Sequence, residues 1–224
     1  VLVSTGGTRP GFRLLRADQL YAADLLTLSH GHSAYALHFD PLQRLAAAGT
    51  RIGLIHLLDL QTASGGSETR TVRTLVQGAP VLAVCVLEQG IVASSDCAGR
   101  CFLWKLGGGE PPVILETQGV RVVSLLQLPD RKLAGVSDQG GLLLWNAADS
   151  RLLERISGPR PSKPLALGRL EYWPACDALV YPAEDGWVAF CHLQDRCVRA
   201  FPAHKGALFV TVIHGDELLT IGHD

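Results

Sequence analysis

Methionine is absent from this 224-residue chain, aromatic side chains make up 6% of it, and charge is balanced, with 20 Lys and Arg against 21 Asp and Glu for a net of −1. Nucleic acid and acidic lipid surfaces are drawn by a one-signed patch, and the sequence supplies none. The densest basic stretch, Arg151, Arg155, Arg160 and Lys163, is interrupted by Glu154 and reads as a solvated strand and loop. Long apolar runs are missing too; none nears the roughly 18 residues that a membrane-crossing helix requires. No nucleic-acid partner and no membrane association are expected. The first residue is Val, and the N-terminal segment lacks the charged, then apolar, then small-residue order of a signal peptide. With no Met anywhere, the sequence reads as a piece of a longer, multidomain chain.

The signatures of common catalytic sites are missing as well. There is no G-x-x-x-x-G-K-[ST] loop, no G-x-S-x-G elbow and no G-x-G-x-x-G leading into a helix, and Gly107-Gly108-Gly109 falls between two expected strands. The six cysteines, Cys85, Cys97, Cys101, Cys176, Cys191 and Cys197, form none of the C-x2-C pairs of structural zinc. In a chain long enough to build its core from strands they read as free thiols. His30 and His32 flank Gly31, but no H-E-x-x-H or two-His-one-carboxylate spacing occurs. No catalytic residue, metal site or cofactor is expected, and a cytoplasmic location is favoured.

What the chain has is a repeat. Asp96, Asp138 and Asp185 lie 42 and 47 residues apart, and each is followed six to eight residues later by an aromatic or Cys that closes an apolar run: Trp104, Trp145 and Phe190-Cys191. Aligned on that period, short runs rich in Val, Leu and Ile alternate with Gly, Pro, Asp and Ser turns in phrases of four strands. The clearest phrase has expected strands at 120–128, 132–136, 141–145 and 151–156. Its neighbours occupy 34–39, 44–48, 52–58 and 71–76, then 81–87, 90–94, 101–106 and 112–115, then 165–172, 178–181, 187–191 and 197–201. The N-terminus matches the second to fourth strands of a phrase, and residues 207–213 and 217–221 match a first and second. Residues 16–28 could form a short amphipathic helix, but the repeat phase favours a turn and a strand.

Four-stranded units of about 40–45 residues are the blades of a β-propeller. The phrase resembles the WD40 family, whose repeat carries Gly-His before the first strand, Asp in the turn after the second and Trp-Asp at the end of the third. Gly31-His32 and Ala203-His204 match the first feature; Asp96, Asp138, Asp185 and Asp224 the second; Trp104 and Trp145 the third, followed here by Lys105 and Asn146. Gly78-Ala79 and Gly119-Val120 keep only the glycine, and Thr50-Arg51 and Cys191-His192 depart from the pattern. The resemblance implies an all-β propeller with four complete blades, 29–76, 77–117, 118–157 and 158–202, and partial blades at 1–28 and 203–224, all in one propeller segment.

In the family, the turn Asp accepts hydrogen bonds from backbone N–H groups and from the His, while a Ser or Thr of the second strand links His to Trp. The resemblance assigns such a structural network to His32, Ser94, Asp96, Trp104, Asp138, Trp145, Asp185, His204, Thr220 and Asp224, with Ser95 and Thr5 as further hydroxyl candidates. It also implies a non-catalytic scaffold that binds proteins or peptides through its loops. The expected contact segments are 30–33, 77–80, 117–121, 158–164 and 203–206, together with 96–100, 137–141 and 184–187. Two other readings stay open: an enzymatic propeller, such as a quinoprotein-like dehydrogenase or lactonase-type hydrolase, and a passive module of a larger signalling protein. The predominance of Val, Leu, Ala and Phe on the expected first strands argues against convergent catalytic polar groups.

Overall fold

In a computed structural model, the described residues are 2–5, 11–15, 22–27, 34–59, 70–160, 169–206, 208–222 and 224; for residues up to 35 and for 70–72, 185, 209 and 210 only the backbone is described. Among the described residues, twenty-one strands form antiparallel sheets of consecutive strands. The first sheet holds β1 (Leu2–Thr5), β2 (Gly11–Leu15) and β3 (Ala22–Thr27). Residues 22–27 are thus a strand, as the repeat phase required. The second holds β4 (Ala34–Asp40), β5 (Leu45–Thr50), β6 (Leu54–Asp59) and β7 (Arg70–Val76), and the third β8 (Val81–Leu87), β9 (Ile91–Asp96), β10 (Cys101–Lys105) and β11 (Val113–Leu115).

The fourth holds β12 (Val122–Leu128), β13 (Lys132–Ser137), β14 (Leu142–Asn146) and β15 (Leu152–Ile156). The fifth holds β16 (Glu171–Trp173), β17 (Ala178–Pro182), β18 (Trp187–His192) and β19 (Val198–Pro202), and the sixth β20 (Leu208–His214) and β21 (Glu217–Gly222). By packing, the chain divides into two compact units, residues 1–98 with 104–112 and residues 99–103 with 113–224.

Burial explains the composition of each strand. In the four-stranded sheets the second strands are covered on both faces, with every residue after the first buried in β5, β9 and β13 and every residue buried in β17. A strand covered on both faces reads as a continuous rather than an alternating apolar run, which is why β5 is Leu-Ala-Ala-Ala-Gly-Thr. Fourth strands such as β15 alternate, placing one face in the core and one in solvent.

Two local features repeat and act as a ruler. A bulge follows the first ladder pair of the first strand, between Ala34 and Ala36, Val81 and Ala83, Val122 and Ser124, and Leu208 and Val210. Between second and third strands stands a glycine at positive φ: Gly53 at 81°, Gly99 at 82°, Gly140 at 80° and Gly186 at 79°. A Cβ at Gly53 or Gly186 would also strike backbone atoms, so both space and dihedral demand glycine there.

Gly135 answers to packing alone. It lies beneath Trp145, and a Cβ would come within 2.8 Å of Val122 Cγ1 and 2.9 Å of Trp145 Cζ3. Gly135→Val is therefore expected to lower stability by about 1–3 kcal/mol through overpacking. Urea denaturation checks this; the midpoint should fall while the slope stays unchanged.

Candidate functional site

The ladder pairs put residues of different sheets into equivalent positions. Ser94 pairs with Val84, Gly135 with Leu125 and Thr220 with Thr211, so these three share one position on the second strand, which we call the hydroxyl position. Five residues after each turn glycine comes the position of Trp104, Trp145 and Cys191 on the third strand, the ring position. Four residues before the first ladder pair stand Gln77, Gln118 and His204, the acceptor position.

The third sheet carries a continuous relay. Trp104 Nε1 donates to Ser94 Oγ at 2.8 Å, and Ser94 Oγ donates to Gln77 Oε1 at 2.7 Å. Ser94 and Gln77 are buried, so each of these bonds offsets the cost of desolvating its polar groups. Gln77 was not among the residues singled out from the sequence; counting back from the first strand, rather than looking for Gly-His, would have found it. Asp96 is buried, and its Oδ1 accepts the Ala98 N–H at 3.0 Å, a bond that shapes the turn.

The sixth sheet carries the corresponding relay without a ring. His204 Nδ1 lies 3.2 Å from Asp224 Oδ1, and His204 Nε2 lies 3.0 Å from Thr220 Oγ1. Because a carboxylate only accepts, Nδ1 carries the proton, and in the neutral imidazole Nε2 then accepts from the Thr220 hydroxyl. The Lys205 N–H also donates to Asp224 Oδ1, at 3.3 Å.

The fourth sheet has lost this relay. Gly135 has no hydroxyl to offer, and Trp145 Nε1 instead donates to the Glu116 carbonyl at 2.9 Å. Ser137 Oγ accepts the Gly141 N–H at 3.1 Å, and Asp138 Oδ2 accepts Arg121 Nε and Nη2, each at 2.8 Å. In the fifth sheet the large and small members exchange strands, Tyr181 taking the hydroxyl position and Cys191 the ring position. Tyr181 is fully buried, and its Oη donates to the Gly140 carbonyl at 3.0 Å.

The aspartates are not equivalent, contrary to the expectation that they fill one slot. Asp96 itself pairs with Val81; Asp138 follows Ser137, which pairs with Val122; and Asp224 stands two beyond Gly222, which pairs with Leu208. Asp224 reaches a histidine, His204, at 3.2 Å. The reason is that the turn's bend is set by its glycine, so a carboxylate anywhere in the turn finds N–H or guanidinium donors. His32 and the side chains of Asp185 and Thr5 lie outside the described residues. The same count places His30, not His32, four residues before Ala34, and it too lies outside them.

Among the described residues no three His, Cys, Asp or Glu side chains gather as a metal would require. An open polar groove of about 420 Å³ at one end of the fifth sheet is lined by Cys176, Asp177, His192, Asp195 and Arg199 among others. His192 Nδ1 donates to the Cys176 carbonyl at 3.2 Å, and Tyr172 Oη donates to Asp177 Oδ1 at 2.9 Å. No helix among the described residues is long and apolar enough to cross a membrane.

No family model and no curated protein matches the chain. Among solved structures, it is similar to a chain of the crystal structure of a mitotic checkpoint complex, with a TM-score of 0.80 at 13% identity, over 99% of this chain and 67% of that one. It is also similar to the computationally designed Ika8 protein, with a TM-score of 0.70 at 14% identity, over 95% of this chain and 64% of that one. The fold is a WD40-like β-propeller. At such identities the likeness speaks for fold alone, and the sheets described above are its blades: four complete, with partial ones at either end.

Ser94→Ala would remove the shared partner of the part-buried Trp104 N–H and the buried Gln77 Oε1, at an expected cost of about 1–3 kcal/mol. Trp104→Phe and Ser94→Ala should couple by about 1 kcal/mol in a double-mutant cycle of denaturant midpoints, since both delete one bond.

Burial pushes the Tyr181 phenol far above its usual range, with Cys191 adding to the rise, and pushes the Cys191 thiol up to about 11 from an ordinary 9. A raised folded-state value favours the neutral group, so this contribution to stability is full below pH 9 and is lost as pH climbs through 11. Native alkylation at pH 8 should accordingly reach exposed Cys97, Cys176 and Cys197 and spare buried Cys85, Cys101 and Cys191, which intact-mass measurement would show as three adducts.

Proposed function

We propose that the chain is a non-catalytic scaffold that binds protein or peptide partners through its propeller loops. The supporting observation is the character of the turns between second and third strands. Their backbone is held by glycine and by the hydrogen bonds above, while apolar side chains stand outward at their ends: Ile52 is 44% exposed and Trp187 is 43% exposed. Partly exposed large apolar groups on a rigid frame are what a docking protein can bury, and loops on a fixed frame tolerate the variation that partner choice requires. The checkpoint-complex neighbour, a member of a multi-protein assembly, is consistent with protein partners.

The contact segments in this reading are 77–80, 96–100, 117–121, 137–141, 184–187 and 203–206, together with 30–33 and 158–164, which lie wholly or partly outside the described residues. The division into blades at 1–28, 29–76, 77–117, 118–157, 158–202 and 203–224 of one propeller segment belongs to the same proposal. The relay residues Ser94, Trp104, His204, Thr220 and Asp224 act in it as supports for the turns. They take no part in chemistry.

Ile52→Asp and Trp187→Asp test the reading. Each should leave the thermal midpoint within a few degrees, because neither side chain belongs to the core, and each should weaken a cross-linked and purified partner about tenfold or more. Unchanged affinity in both variants would reject loop docking.

A further inference from the structure

A histidine of the second sheet holds the inner edge of the third. Among the described residues β8 pairs only with β9, which leaves backbone groups on its other edge in need of partners. Val86, 2% exposed, finds them in two side chains: its N–H donates to His38 Nδ1 of β4 at 3.1 Å, and its carbonyl accepts the Cys85 thiol at 3.8 Å. His38 Nε2 in turn stands 3.8 Å from the sulfur of Cys85, which is buried. Gln43, in the turn after β4, adds a further bond, its Nε2 donating to the Leu87 carbonyl at 2.9 Å. All of these residues belong to one compact unit.

The bond from Val86 fixes the protonation of the ring. A backbone N–H only donates, so Nδ1 holds a lone pair and the neutral imidazole carries its proton on Nε2, toward the Cys85 sulfur. A second proton can go only to Nδ1, where it meets the Val86 N–H, donor against donor, and leaves a buried backbone group without its acceptor. Packing does not call for an imidazole here. His38 pairs with Ala47, Cys85 with Ala93 and Leu126 with Ala134, each one residue beyond the pair that contains the hydroxyl position, so the three share one place on the first strands and Leu126 fills it with an aliphatic chain. What the histidine adds is an acceptor that a proton cancels. Among the described residues β1, β5 and β8 pack against β4, and their sequences hold one titratable side chain, Cys85. The charged groups of the adjoining turns are Asp40 at the end of β4, Arg44 beyond it and Glu88 after β8. Asp40 interacts electrostatically with the ring and draws the proton, although its carboxylate also accepts the N–H groups of Leu42 and Gln43. That attraction moves the pH at which the two donors come into conflict and does not remove the conflict.

We infer that His38 is a proton-operated clasp between β4 and β8. The neutral ring holds the edge of β8 through the Val86 N–H, and the imidazolium lets it go. An unperturbed imidazole takes its second proton near about pH 6.5, so the clasp is closed in neutral solution and opens as the solution turns acid. Only the neutral ring makes the bond, so its stabilisation is full at high pH and is lost as pH falls through the ring's titration. The device lies in the first strands and does not depend on the loops.

The test is hydrogen exchange of the Val86 amide in the 224-residue chain at about pH 8 and about pH 5, each rate divided by that of the unstructured chain at the same pH. Protection of Val86 should fall about tenfold or more at the acid end, while the amides of β13 keep theirs. His38→Asn, whose Oδ1 can stand where Nδ1 does and which does not titrate, should keep Val86 protected at both values. His38→Leu, with the side chain that Leu126 has, should leave it weakly protected at both. The chemical shifts of the ring nitrogens in the unaltered chain give a reading that needs no variant: the lone pair should sit on Nδ1 at about pH 8, and the loss of Val86 protection should follow the ring's own titration. Constant protection of Val86 across the range, a loss shared by the β13 amides, an equal loss in folded His38→Asn, or a proton on Nδ1 at about pH 8 would each overturn the inference.

Discussion

Each four-stranded sheet must bury its second strand from both faces, and the rest of the structure follows from how that space is filled. Across the second and third strands the filling is a diagonal pair of one large and one small side chain: Ala48 with Leu58, Ser94 with Trp104, Gly135 with Trp145, Tyr181 with Cys191. Interiors packed to crystal-like density admit neither two rings nor two small groups at such a site. Gly135 shows the constraint at its limit, since no side chain fits under Trp145. The exchange in the fifth blade, with the ring on the second strand and Cys on the third, satisfies the same volume from the opposite side.

Hydrogen bonding is subordinate to this packing. Where the small residue carries a hydroxyl, as at Ser94, the indole N–H bonds to it and a relay forms; where it is Gly135, the same N–H finds a backbone carbonyl. A buried donor needs some acceptor but not a particular one. This is why a network that resembles the WD40 pattern can lose members while the blades persist. It also explains the replacement of histidine by Gln77, whose carbonyl oxygen accepts from Ser94 as an imidazole nitrogen does from Thr220.

The elements were legible in the sequence because strands covered on both faces are apolar runs and turns need Gly, Asp or Pro. The expected 101–106, 178–181 and 187–191 fall within a residue or two of β10, β17 and β18. Of the expected 165–172, residues 165–168 lie outside the described residues, and the described strand there is β16, Glu171–Trp173. The network was read less well. Aspartates were aligned by residue type, but turns accept an aspartate at several positions, so Asp96, Asp138 and Asp224 proved to be offset by one residue each in the ladder. Gln77 was passed over because its role is defined by reach to Ser94, 17 residues away, and not by its neighbours.

Local chemistry in the chain, its period, its turn glycines and its apolar runs, was enough to determine an all-β array of four-stranded blades, since each of those features acts within a few residues. Tertiary structure alone decided which residues share a ladder position, because pairing joins residues of different strands and is not set by residue type within one turn. It alone decided which polar groups meet, since a hydrogen bond depends on distances near 3 Å that no spacing encodes. It also decided that Phe201 stands open where Leu75, Leu115 and Ile156 are covered, because burial belongs to the neighbouring sheet and not to the residue that is buried.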